Sequence, residues 1–96
     1  MHLQKALLAE CIGTMIFFSC ILATGEPIPI VIGLLAVIYI FAKISGGHFN
    51  PALSFMMLLK GDISASTCIA YIIAQLLGAS LALLWWKNMR QFYTKK

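Results

Sequence analysis

Apolar runs separated by short polar breaks organise this chain. The first run extends from about Ala6 to Gly25, long enough at about 1.5 Å per residue to cross the roughly 30 Å hydrocarbon core of a bilayer. Gly25-Glu26-Pro27 breaks it as a tight turn. A second run, about Ile28 to Ile44, is dense in Ile, Val and Leu and ends beside Lys43; its length is at the short end of the spanning range. A loop over 45–49 follows, then an apolar segment over 50–59 that is too short to cross, closed by Lys60-Gly61-Asp62. The last run, about Ser64 to Trp86, spans again and leads into a basic segment over 87–96. This pattern predicts an all-α integral membrane protein forming one membrane domain over 1–96. It would have three transmembrane helices, with a re-entrant half-helix between the second and third.

Composition agrees and narrows the function classes. Of the 96 residues, 61% are hydrophobic and 10% charged, against about 25% charged in a soluble domain. Mean hydropathy is +0.94. The net charge of +4 does not describe a nucleic-acid-binding face, because Lys87, Arg90, Lys95 and Lys96 cluster at the end of the chain beyond Trp85 and Trp86. Together with Tyr93 they read as an interfacial belt and a headgroup-contacting tail. Cys11, Cys20 and Cys68 lie in apolar runs without metal-ligand spacing and read as small packing residues. Lys5 ahead of an apolar run has the look of a secretory leader, but Glu10 interrupts that run and no small-x-small cleavage site follows, so a retained helix is expected. No nucleophile–base pair, metal set or phosphate loop is present, and neither an enzyme nor a cofactor or metal is expected.

The polar residues within the apolar runs carry the remaining information. Asn50-Pro51 is a helix start: Asn is a strong N-cap, and proline suits the first helical position because its missing N–H has no partner there. A half-helix that begins so places its positive dipole end inside the membrane. Gly46-Gly47 before it permits an extended backbone, tolerated at that depth only when buried in protein or lining a wet cavity. Glu10 and Gln75 are too costly to face lipid, so both are expected to turn inward and hydrogen-bond the backbone of the loop. His48 reads as a hydrogen-bonded brace. Ala70, Ala74, Gly78 and Ala82, spaced by four, form a smooth stripe for close helix contact, and Ala9 and Gly13 form a shorter one.

Four of these stretches, in order, resemble the motifs of the aquaporin and aquaglyceroporin (major intrinsic protein) family. Ser45-Gly46-Gly47-His48-Phe49-Asn50-Pro51-Ala52 resembles its first signature loop, and Ala9-Glu10-Cys11-Ile12-Gly13-Thr14 its first-helix motif. Gly33-Leu34 resembles its second-helix glycine, and Tyr71 to Ala79, with Ala74, Gln75 and Gly78, its third helix. Family members have six spanning helices in two inverted halves, each with one Asn-Pro-Ala half-helix, and this chain resembles the first half. The resemblance implies a pore wall formed by the carbonyls of Gly46, Gly47 and His48, with the Asn50 amide as central donor. Glu10, Gln75, Pro51 and Ala52 would support the loop. Leu53 stands where the other half of the family carries its selectivity-filter arginine. The bulky filter position maps to Ile32 when aligned on Gly33, or to Ile30 when aligned on the loop; either makes the constriction aliphatic.

One half-helix cannot enclose such a pore. The resemblance therefore implies pairing with a second copy in inverted orientation, with four such dimers as a further level of assembly. The expected function is passive transport of water and small neutral solutes such as glycerol across a lipid bilayer. The alternative is a non-conducting accessory subunit that pairs with a different half-size or full-length channel.

Overall fold

The computed structural model describes residues 2–93; Lys95 and Lys96 of the expected basic tail lie outside the described residues. Among the described residues four helices and a 3-10 turn follow one another: α1 (His2–Thr24), α2 (Pro27–Ser45), α3 (Pro51–Lys60), α4 (Ala65–Met89) and the turn Arg90–Phe92. Helices α1 and α2, and the stretch from α4 through the turn, are long and apolar enough to cross a membrane, whereas α3 is short. At about 1.5 Å per residue α3 reaches roughly 15 Å, half the hydrocarbon thickness. The molecule is 49 Å along its longest axis, comparable with a bilayer including its headgroup layers, about 40–45 Å.

The boundaries follow local chemistry. Glu26 precedes Pro27 in an extended conformation, so α2 begins on the proline itself. It ends where Gly46 turns left-handed (φ 93°) and its N–H bonds the Ala42 carbonyl. Asn50 caps α3 rather than belonging to it, its Oδ1 accepting from the Ala52 N–H at 2.8 Å. Gly61, at φ 94°, closes α3 with its N–H on the carbonyls of Met57 and Leu58. Ser64 caps α4 by accepting from the Thr67 N–H at 3.2 Å. Two helices outrun their apolar stretches. α1 starts four residues before Ala6, and α4 continues past Trp86 through Lys87, so the expected basic segment over 87–96 begins as helix. Charge ends an apolar run without ending a helix, because Lys and Gln are themselves good helix formers.

Helix α1 lies between α2 and α4, and α3 rests on α4. The expected small-residue stripe is the α4 contact surface: Ala74, Gly78 and Ala82 are buried and Ala70 half-buried. A side chain on Gly78 would run into the Cys11 carbonyl and come within 3.0 Å of Thr14 Cβ. On the other flank, a Cβ on Gly33 would stand 2.6 Å from Cys20 Sγ, so Cys20 packs on the α2 glycine. Cys68 is buried, and Cys11, Cys20 and Cys68 are free thiols. The three helices therefore approach closely at small residues, where dispersion rather than water exclusion supports association in lipid.

Candidate functional site

The loop over 46–49 has an unusual backbone. Gly46, Gly47 and Phe49 all have positive φ, at 93°, 67° and 55°. Phe49 is the non-glycine among them, and such a conformation persists only when its surroundings over-determine it. They do. The Phe49 N–H donates to Glu10 Oε1 at 2.7 Å, and its ring is buried against Gly13 and edge-on to Phe41.

Glu10 organises the rest. Its Oε2 accepts from Ser45 Oγ at 2.6 Å and the His48 N–H at 3.0 Å. Its Oε1 accepts from the Phe49 N–H and from Gln75 Nε2 at 2.9 Å. Four donors occupy a carboxylate that offers about four lone-pair sites, and the group is fully buried. This arrangement meets the cost of placing a carboxylate in the membrane interior. Ser45 is held in turn: its Oγ accepts from the Gly47 N–H at 3.1 Å, and its carbonyl accepts from the Tyr71 hydroxyl at 2.6 Å.

Gln75 does not reach the loop backbone as expected. Its Nε2 bonds Glu10 Oε1 and Ser54 Oγ, each at 2.9 Å; the His48 and Phe49 N–H groups are already taken by the carboxylate, and the Gln75 Oε1 is buried without a partner among the described residues. Gln75 therefore supports the loop through Glu10. His48 is braced, its Nδ1 lying 2.8 Å from Ser54 Oγ and its ring 4.9 Å from that of Tyr71.

The structure gathers Glu10, Gly47, His48 and Gln75 into this buried cluster, with Gly46, Asn50 and Ala52 at its exposed margin and Pro51 and Leu53 half-buried. With Oδ1 used in the cap, the Asn50 Nδ2 hydrogens have no protein partner among the described residues. Ile32 is not part of the cluster. It is 58% exposed on α2, fourteen residues before Gly46 and hence about 21 Å away along the helix; Ile30 is half-buried.

Ser45, Ser54 and Tyr71 belong to the cluster and were not singled out by sequence reasoning. A signal exists for two of them. Tyr71 precedes Gln75 by four residues and so shares its helix face, and Ser54 is the one polar residue within the apolar stretch of α3 after its cap.

Comparison with known proteins matches this chain to Major intrinsic protein over residues 1–95. Among curated relatives, the Glycerol uptake facilitator protein-like 6 of Lactiplantibacillus plantarum is 43% identical over 88 residues, covering 82% of this chain and 41% of the relative. Aquaporin-B of Dictyostelium discoideum is 36% identical, covering 85% of this chain and 33% of the relative. Aquaporin TIP1-1 of Arabidopsis thaliana is 36% identical, covering 83% and 39% respectively. The chain thus spans between a third and about two fifths of the length of these relatives. With three apolar spanning helices, a capped half-helix and a match along nearly its whole length, the chain is a multi-pass integral membrane protein that belongs to the major intrinsic protein family.

Proposed function

We propose that this chain supplies one half of a membrane pore for water and small neutral solutes such as glycerol, and that a second copy in inverted orientation supplies the other half. Asn50 carries the reading. It is an exposed residue at the positive end of a helix half a membrane long, with its Oδ1 committed to the cap and its Nδ2 without a protein partner among the described residues. Such a group offers hydrogen-bond donors to a passing oxygen while the dipole end opposes cations. The exposed Gly46 and the aliphatic Ile32 and Leu53 are the proposed neighbours of that path, together with the backbone of Gly47 and His48.

The inverted copy is supported by the uncovered outer face of α2. Ile28, Val31, Ile32, Leu35 and Tyr39 are all more than half exposed. A facing half-repeat related by an axis in the membrane plane would bring a second half-helix to the midplane.

Osmotic shrinkage of liposomes containing the purified chain tests the proposal. Shrinkage well above that of empty liposomes is expected. Asn50→Asp keeps a good N-cap but removes both amide hydrogens, and should slow the flux about two- to tenfold, the worth of one hydrogen bond. Shrinkage equal to the lipid background, with the protein folded and inserted, would leave the accessory-subunit reading in its place.

A further inference from the structure

The hydroxyl of Ser54, fully buried on α3, stands where Gln75 and His48 meet, and hydrogen counting fixes what it does there. Glu10 is filled by donors. Gln75 must therefore turn its nitrogen toward that acid, since its Oε1 would face carboxylate oxygen. Nε2 carries two hydrogens; one goes to Glu10 Oε1 and the other to Ser54 Oγ. Ser54 Oγ is thus an acceptor, and its own hydrogen needs a partner.

Helical hydroxyls often donate to the carbonyl four residues back, as Thr24 does to Cys20 and Ser80 to Leu76. Ser54 makes no such bond among the described residues. The acceptor within reach is His48 Nδ1 at 2.8 Å. A ring nitrogen that accepts has no hydrogen of its own, so neutral His48 carries it on Nε2.

We infer that Ser54 is a positioning residue that locks His48 as the Nε2–H tautomer. The polarity set at Glu10 is passed through Gln75 and Ser54, and it emerges at His48 Nε2 as a donor. That nitrogen has no protein partner among the described residues and lies 3.3 Å from where a Cβ on Gly46 would stand; His48 itself is 8% exposed, and Gly46 beside it is exposed. A donor there fits an acceptor oxygen of water or an alcohol. This last step rests on the proposed pore, whereas the tautomer does not.

The test is ring ¹⁵N NMR of histidine-labelled protein carrying His2→Gln, which leaves His48 as the one histidine, at about pH 9 where imidazole is neutral. The expected spectrum has a protonated Nε2 and a bare Nδ1. Ser54→Ala should convert it to a mixture of both tautomers with helix content unchanged, and Ser54→Thr should restore the single form. Should the alanine variant not fold, Ser54→Cys keeps the size with only a weak donor and should give the mixture. A protonated Nδ1 in the parent overturns the inference, as does a folded alanine or cysteine variant with the parent's spectrum. Because the tautomer is read without transport, failure of liposome shrinkage in the parent would count against the pore alone.

Discussion

The ring of Phe49 occupies the space that a side chain on Gly13 would need: a Cβ built on Gly13 overlaps the ring at Cε1 and stands 2.7 Å from Cδ1 and Cζ. The two residues meet across 36 positions of sequence, and the contact fixes how deep the loop over 46–49 sits. Gly13→Ala must displace the ring or spread the helices, at about 1–3 kcal/mol for overpacking. Phe49→Ala alone should cost about 3–5 kcal/mol. The double variant should be more stable than the sum of the two losses allows, because the alanine methyl then enters space the ring has vacated. Thermal melting of the four proteins in detergent measures this cycle, and strict additivity would contradict it.

Glu10→Gln should be far more damaging than its size suggests. The amide offers one oxygen and one nitrogen to four donors, so one pair of N–H or O–H groups would face an NH₂. Ser45 Oγ can rotate, but the backbone N–H groups of His48 and Phe49 cannot. At about 1–3 kcal/mol for each buried donor left without a partner, a loss of about 1–6 kcal/mol is expected, read as a lower melting temperature and as faster amide exchange at residues 48 and 49. A variant that melts with the parent would show that the four bonds contribute nothing net.

How much of this was legible in the sequence depends on the range of the interaction. Element existence and order were legible, because apolar run length and the breaks at Gly25-Glu26-Pro27 and Lys60-Gly61-Asp62 are local. Asn50 as a cap was legible for the same reason. The inward turn of Glu10 and Gln75 followed from the cost of facing lipid, and so did the loop backbone as a partner of Glu10; the Ser45 bond to Glu10 and the bonds of Gln75 to Glu10 and Ser54 did not. Which donors reach Glu10 depends on loop residues 35 to 39 positions away adopting left-handed φ angles, and Phe49 gives no local sign that it will do so. The roles of Ser54 and Tyr71 depend in turn on where His48 and Ser45 are placed, so they become visible only once α3 rests on α4.

The proposed pore should exclude cations without a filter arginine. Two half-helix N-termini facing each other carry about +0.5 charge each. A monovalent cation 4 Å from one end is opposed by about 2 kcal/mol at an effective dielectric of 20. Two ends give about 4 kcal/mol, roughly a thousandfold against occupancy before the cost of removing hydration water. Liposomes that shrink rapidly should therefore hold a potassium gradient, and robust potassium current through the assembled chain would contradict the paired-dipole arrangement.

The last prediction is that the chain inserts in both orientations. Three crossings put the two ends of the described structure on opposite sides of the membrane. Lys5 near the start of α1, Lys43 in the last turn of α2 and Lys60 in the last turn of α3 share one side with the amino terminus. Lys87 and Arg90 lie at the other end, and Lys95 and Lys96 follow them in sequence. Cationic side chains near the ends of spans set orientation, while acids contribute little. Three lysines against four cationic side chains leave little bias. A reporter fused to either terminus should therefore give signal from both sides, and moving the balance should move the population. Lys87→Gln with Arg90→Gln should favour the amino terminus on the cytoplasmic side; Lys43→Gln with Lys60→Gln should favour the reverse. Either pair should also reduce liposome shrinkage, since an excess of one orientation leaves half-repeats without an inverted partner. Co-expressing the two oppositely biased pairs should recover it, an outcome that a chain conducting alone in one orientation would not produce.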